Sequence, residues 1–471
     1  MDELIHLKLE GEIAELLIRV EPSFQSCAAY EQGKLVVYAE LSKALYGTLQ
    51  ASLLFWKHLS NFLIEELGFT VNPYDNCVVN KIINGKQCTI GWYVDDLKIS
   101  HVEQEVIDSI FDRLQERYGK EAPLSVKRGS QHEYLGMNID YREAGKVKFS
   151  MTKYIERLID ETPAELLKGA GTTPAANHLF LVNEHGRKLD KERADTYHHL
   201  VAKLLYLAKR TRPDILLAVS FLTTRVSCPD EDDLAKLGRC IRYLRDTIDL
   251  QLTLEASDLT KIRWWVDASF AVHQDYKSHT GGVMMIGKGA LYAFSNKQRI
   301  NTRSSTEAEL VGVNDAMGMI LWVRNFMEAQ GYTVSDNVVF QDNQSAILLE
   351  KNGKMSSSKK TRHIEIRYYF ITDNIHRGRV RVAYCPTNDM TGDVNTKPLQ
   401  GSKFRRFRDD MLNIPPNQTA VAGQERVETN ENQEPSREPS SPDGRNDWKT
   451  VIRKRKPKES KILVERKISL C

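Results

Sequence analysis

The chain has 471 residues, 41% of them hydrophobic and 27% charged, with a formal net charge of +3. That length gives room for two or three domains with cores of their own, and the composition is that of a soluble globular protein. The near balance of charge excludes reading a polyanion binder from global electrostatics, so any such surface must be a local patch.

Seven cysteines (27, 77, 88, 228, 240, 385 and 471) are scattered, with no C-x-x-C and no zinc-like histidine spacing. Such a set points to reduced thiols inside the cell. No signal peptide and no apolar run of membrane-spanning length is read, so a soluble cytoplasmic or nuclear protein without a membrane partner is expected.

Residues 1–125 alternate short apolar runs with amphipathic stretches. Leu53-Leu54-Phe55-Trp56, Leu59 and Phe62-Leu63 recur at helical spacing. Thr89-Ile90-Gly91-Trp92 reads as a strand and Leu97-Lys98-Ile99-Ser100 as its returning partner. Tyr93-Val94-Asp95-Asp96 joins them, and short polar side chains tolerate such a turn. Two adjacent carboxylates repel, however, and a bound cation is the natural way to hold both ionised. Mg²⁺ favours a few carboxylates plus substrate phosphates, the arrangement of two-metal phosphoryl chemistry. Taken alone, the string also fits a plain hairpin turn.

Residues 126–255 read as more helical. Leu200–Ala208 and Asp232–Thr247 are amphipathic, the first stopping near Arg212-Pro213. A new alternating region opens at Ile262. Asp267 sits among apolar residues of a predicted strand, Arg263–Phe270, where a lone buried carboxylate is costly and needs an offset. Gly281–Gly287 and Leu291–Ser295 read as a hairpin returning beside it.

Ser304 then opens a long predicted helix ending near Gly331, and two glutamates compete within it. Ser304 and Glu307 have capping-box spacing. Glu309 shares a face with Val313, Ala316 and Ile320, the face that should pack on the sheet, so Glu309 is favoured as the one aimed at the strand of Asp267. Val338–Asn343 reads as a short buried strand entering a helix at Gln344–Leu349. Asp342 therefore stands at a strand's C-terminal end, where ligands and catalytic groups collect, or serves as the helix N-cap. Asp393 follows the strand Val380–Tyr384 and reads as a catalytic carboxylate on a late helix or as a cap. Lys297, Arg299, Lys360 and Arg362 lie in basic, hydroxyl-rich segments suited to backbone phosphates, or to plain solvation. His363 beside them fits proton transfer, product release or a structural place.

Beyond about residue 414, Pro, Glu, Ser, Asn and Gln dominate and periodicity ends, so a disordered charged tail is predicted over 414–471. Arg453–Lys458 could serve nuclear import or phosphate binding, or be a solvated end.

Several of these segments are long and ordered: Leu41–Ala51, Asn72–Cys77, Tyr93–Asp96, His132–Met137 and Thr211–Ile215. Together they closely resemble the reverse transcriptase of copia-type LTR retrotransposons, over residues 1 to about 413. The resemblance implies an α+β and α/β protein. A partial palm-type polymerase region would occupy 1–125, a helical thumb or connection 126–255, and a ribonuclease H-like mixed sheet with helices 256–413. Asp95 and Asp96 would bind metal in the palm. Asp267, Glu309, Asp342 and Asp393 resemble the four-carboxylate site of ribonuclease H, which implies two Mg²⁺ ions, or Mn²⁺, and cleavage of RNA in an RNA–DNA hybrid.

A palm polymerase also needs a third aspartate on an upstream strand, and Met1-Asp2-Glu3-Leu4-Ile5-His6 corresponds to the stretch just after it. The expectation is a truncated palm without fingers and without independent polymerisation. Its exposed apolar surface would favour self-association or pairing with an intact element's Pol protein, in which case RNA template and DNA join the partners. The competing expectation is a non-catalytic nucleic-acid-binding remnant.

Overall fold

The computed structural model describes residues 6–40, 49–120, 123–353, 365–415 and 448–451. The first strands, β1 (His6–Glu10), β2 (Ala28–Glu31) and β3 (Lys34–Glu40), form an antiparallel sheet in the order β1-β3-β2. Helix α1 (Glu12–Val20) packs on it through Ala14, while Ile13, Leu16 and Val20 stay exposed.

Helix α2 (Leu49–Asn61) runs into a π-type turn at Phe62–Glu66. After it come β4 (Thr70–Asn72), β5 (Asp75–Ile83), β6 (Lys86–Tyr93), β7 (Asp96–Ser100), α3 (Gln104–Tyr118) and β8 (Val126–Lys127). Alternation on β6 sends Cys88, Ile90 and Trp92 inward, where they meet Leu97 and Ile99 of β7 and Ile107, Ile110 and Leu114 of α3. Strands β6 and β7 are the hairpin read from the sequence, with Tyr93 opposite Asp96.

The stretch from 126 to 150 is strand-rich rather than helical. There β9 (Gln131–Tyr134), β10 (Met137–Asp140) and β11 (Lys146–Ser150) join the later β12 (Leu252–Glu255) in the order β12-β11-β10-β9. The helical text begins only at α4 (Thr152–Asp160) and continues through α5 (Lys191–Ala208), α6 (Leu216–Thr223) and α7 (Glu231–Asp246). Asp230 and Asp233 form a reciprocal capping box at the start of α7. The stop at Arg212-Pro213 has its own anchor. The buried Arg212 guanidinium donates to Asp214 at 2.9 and 2.8 Å, and the Tyr243 hydroxyl donates to the same carboxylate at 2.7 Å.

The last sheet contains β13 (Lys261–Ser269), β14 (His279–Met285), β15 (Tyr292–Lys297), β16 (Asp336–Gln341) and β17 (Arg381–Tyr384), in the order β15-β14-β13-β16-β17. The first three are antiparallel; β16 runs parallel to β13, and β17 parallel to β16. Helices α8 (Ser305–Ala329), α9 (Gln344–Asn352) and α10 (Glu365–His376) share a core with Trp264, Val266 and Met284.

Val283, Met285 and Ala293 belong to a second core, shared with Leu204, Phe221 and Leu244 of the helical region and Phe407 of α11 (Gly401–Leu412). With a core on each face, β14 is buried along its whole length. The domain boundary expected between residues 255 and 256 is therefore no break between cores. Finally, β18 (Trp448–Val451), from the stretch expected to be a disordered tail, pairs antiparallel with β7 and β8.

Candidate metal centre

Strand alternation aims Trp264 and Val266 at α8–α10 and turns Asp267 to the opposite face, toward a 3-10 turn at Thr391–Asn395. That turn lies almost on the sheet. A Cβ placed on Gly281 would meet the Asn395 carbonyl oxygen at 2.4 Å, and one on Gly392 would meet the Trp265 carbonyl oxygen at 2.9 Å. Glycine at both positions permits the close approach that brings Asp393 to Asp267.

Asp342 arrives from the end of β16. One carboxylate oxygen from each of Asp267, Asp342 and Asp393 lies within 4.8 Å of the other two, and among the described residues this is the one such acidic or His/Cys group. Asp267 and Asp393 are buried, and Asp342 is half-buried. Burial foremost, then the Asp393 charge, pushes Asp267 above its ordinary pKa, against the pull of Lys397. Glu309 is buried beside them. Desolvation raises its pKa well above the usual range, and the charges of Asp267 and Asp342 raise it further, while the Ala268 backbone N–H opposes them. Only hard carboxylate oxygens face one another here, the donor set of a hard divalent cation.

The helix face of Glu309 carries Val313, Ala316 and Ile320, all buried. Glu307 instead accepts the Arg303 backbone N–H at 2.8 Å, while the Ser304 hydroxyl accepts the Glu307 N–H at 3.2 Å. The helix start thus occupies Glu307, one residue earlier than the expected reciprocal box. The cap of α9 is Asn343, whose side chain accepts the Ala346 N–H at 3.1 Å. Asp342 is freed from capping and accepts the Thr387 hydroxyl at 2.9 Å. Asp393 lies in the 3-10 turn before α11 rather than on a late helix, and its side chain caps nothing.

Two lysines absent from the sequence reading complete the cluster. Lys397 Nζ lies 2.7 Å from Asp393 Oδ1 and 3.3 Å from Asp267 Oδ2. Lys403 Nζ lies 2.9 Å from Asp393 Oδ2. Burial alone would lower the Lys397 pKa, but the two aspartates together outweigh it and raise the pKa. The four-residue spacing from Asp393 to Lys397 was the available signal, since it places both side chains on one side of a helical turn. Ser269 and Thr396 hold the frame: the Ser269 hydroxyl donates to the Thr396 carbonyl at 2.9 Å, and the Thr396 hydroxyl donates to Asp267.

A hydrogen-bonded relay braces the same turn from β15 and β14. The Ser295 hydroxyl donates to the Asn395 carbonyl at 2.8 Å, so it accepts from His279 Nε2 at 2.7 Å. His279 Nδ1 is then the acceptor for His273 Nε2 at 3.0 Å. Burial, then the neighbouring histidine, holds the His279 pKa down at about 3. Burial foremost, then Lys297, lowers His273 to about 4.

Lys297, Arg299 and Arg367 line a groove of about 590 Å³ between β14–β15 and α8, together with Thr280, Asn296 and Gln298. Lys297 is paired with Asp275 at 2.8 Å, and Arg367 with Asp315 at 2.7 Å. Lys360, Arg362 and His363 lie outside the described residues.

Asp95 and Asp96 stand far from this chemistry in kind. Asp95 lies in the β6–β7 turn, where Val94 adopts φ 56°, a costly conformation for a β-branched residue. Partial burial, then Asp95, raises the Asp96 pKa. Among the described residues no third acidic, His or Cys side chain joins this pair.

A family profile described as reverse transcriptase (RNA-dependent DNA polymerase) matches residues 6–174. The retrovirus-related Pol polyprotein from transposon RE1 of Arabidopsis thaliana is 32% identical over 372 residues, covering 78% of this chain and 24% of the relative. That from transposon TNT 1-94 of Nicotiana tabacum is 28% identical over 403 residues, covering 84% and 29%. The chain spans about a quarter of the length of these curated relatives. The prototype foamy virus protease–reverse transcriptase is similar at a TM-score of 0.21 and 15% identity, over 81% of this chain and 43% of that one. The chain carries a reverse transcriptase region of the copia type and is related, along most of its length, to transposon Pol polyproteins.

Proposed function

We propose that residues 261–412 act as a ribonuclease H, cutting the RNA strand of an RNA–DNA hybrid at Asp267, Glu309, Asp342 and Asp393. One observation carries the reading: three aspartates from distant parts of the chain converge within 4.8 Å of one another, with the buried Glu309 beside them. A sheet with three antiparallel strands followed by two parallel ones, and helices in the crossovers, supports it.

Mg²⁺ or Mn²⁺ ions bound here would supply an activated water and charge stabilisation at the leaving 3′ oxygen. Asp267 and Asp393, fixed by the Thr391–Asn395 turn, would be ligands, and Asp342 would close the set from the end of β16. Burial and the neighbouring aspartates favour the neutral form of Glu309, and a cation arriving beside it would favour the carboxylate. Arg299, with Lys297 and Arg367, would take backbone phosphates in the groove, which positions a duplex without reading its sequence. The RNA 2′-hydroxyl would set the choice of strand.

Asp95 and Asp96 fit the palm carboxylates of a polymerase. With no third ligand among the described residues, we assign the described cluster to nuclease chemistry rather than DNA synthesis.

The test is cleavage of a labelled hybrid by the full chain with Mg²⁺. Cleavage should vanish with EDTA and in Asp267→Asn and Asp342→Asn. A chain that cuts equally well with either substitution would refute the assignment. A second reading draws on the two lysines, which already offset much of the acidic charge: a non-catalytic remnant that binds hybrids. It predicts EDTA-resistant binding with no turnover by the wild-type chain.

A further inference from the structure

Resting on the metal-centre reading above, we propose that Lys397 is a positioning residue that occupies one of two cation positions and makes the site fill in two unequal steps. Its ammonium sits between two ligands of different origin, 2.7 Å from Asp393 Oδ1 and 3.3 Å from Asp267 Oδ2. These are the oxygens a divalent ion bridging β13 and the Thr391–Asn395 turn would need. Lys403, by contrast, pairs with Asp393 alone among the four carboxylates, on its other oxygen, at 2.9 Å.

The balance of charge supports the assignment. With all four carboxylates ionised, the two ammoniums and one divalent ion neutralise the cluster, so a second ion binds against net charge unless a cation already there moves away. Lys397 can be displaced because its side chain enters from the rim and is 37% exposed, whereas Asp267 and Asp393 are buried at 1% and 0%. A long flexible ammonium stem can swing outward at small cost, and the aspartates cannot. In the metal-free state Lys397 keeps the two like charges at ligating separation. When it is displaced, its head is left at the mouth of the site, where a phosphate would lie.

The experiment is Mn²⁺ titration of the full chain, by calorimetry and by loss of the free-ion paramagnetic signal. The wild type should bind one ion tightly and a second more weakly. Lys397→Met should tighten the second ion about tenfold, leave the first within about twofold, and preserve stoichiometry. Lys397→Arg should restore the wild-type gap. Lys403→Met, which removes a nearby cation without opening the bridge, should leave the gap in place. If Lys397→Met does not fold, Lys397→Gln takes its place with the same expected outcome.

Overlapping isotherms for wild type and Lys397→Met would overturn the proposal and leave the metal centre standing. The same gain in Lys403→Met would also overturn it, since general charge removal would then be the cause. Absence of Mn²⁺ binding in every chain would overturn both the proposal and the metal-centre reading.

Discussion

Gly281→Ala perturbs the metal centre without changing any acidic residue, through the backbone approach that builds it. The added methyl would lie 2.4 Å from the Asn395 carbonyl oxygen and 2.7 Å from Asn395 Cβ. Ordinary contact begins at 3.4 Å, so the Thr391–Asn395 turn must retreat by about 1 Å. Retreat stretches the bond from the Asn395 amide to the Gly282 carbonyl, now 3.0 Å, and that from Ser295 to the Asn395 carbonyl, now 2.8 Å. Overpacking costs about 1–3 kcal/mol and each of the two weakened buried bonds about 1 kcal/mol, so a loss of roughly 3–5 kcal/mol is expected.

The chemistry should suffer as well as the stability. Asp393 moves with the turn, and a misplacement of about 1 Å costs on the order of 10²-fold in rate. Urea denaturation gives the first number, and Mg²⁺-dependent hybrid cleavage by the folded protein gives the second. An alanine variant with wild-type stability and wild-type cleavage would refute the claim that this close approach builds the site.

Asp267→Asn removes a buried charge, so the metal-free chain should keep or gain thermal stability. Wild type should gain about 2.7 kcal/mol from Mg²⁺ at a hundred times its Kd, and the variant should gain nothing; thermal melts with and without Mg²⁺ check both. Asn343→Ala should cost about 1 kcal/mol by uncapping α9 and leave cleavage measurable, whereas Asp342→Ala should abolish cleavage. Paired denaturation and cleavage measurements test that division of labour. The folded His279 pKa is held at about 3, below the ordinary histidine value of 6.5. The unfolded chain therefore takes up protons first as pH falls, and stability present above pH 6.5 is lost toward pH 3. Between pH 6.5 and 5 the loss should be about 2 kcal/mol, and His279→Gln should flatten that slope in urea melts read against pH.

Period and capping chemistry are local, so much of the site was legible from residue order alone. The turn chemistry of Tyr93–Asp96 marked the β6–β7 hairpin, and strand alternation marked β13. Helical spacing distinguished Glu309 from Glu307, because a shared face with Val313, Ala316 and Ile320 is fixed by 3.6 residues per turn. Local signals misled where two residues competed for one local task. Asp342 and Asp393 both read as plausible caps, yet Asn343 takes the first role and a 3-10 turn removes the second. The strand-rich stretch before Ser150 lacked a strong period because β9–β11 are short and half-exposed.

What the sequence determined by itself was the kind of donor at each position and the element that carries it. The tertiary structure decided the distances: that residues 267, 342 and 393 meet, that Lys397 sits between two of them, and that helices on both sides bury one sheet. Separation along the chain carries no information about separation in space until β14 packs against the Thr391–Asn395 turn. Only glycines at 281 and 392 allow the backbones to come that close.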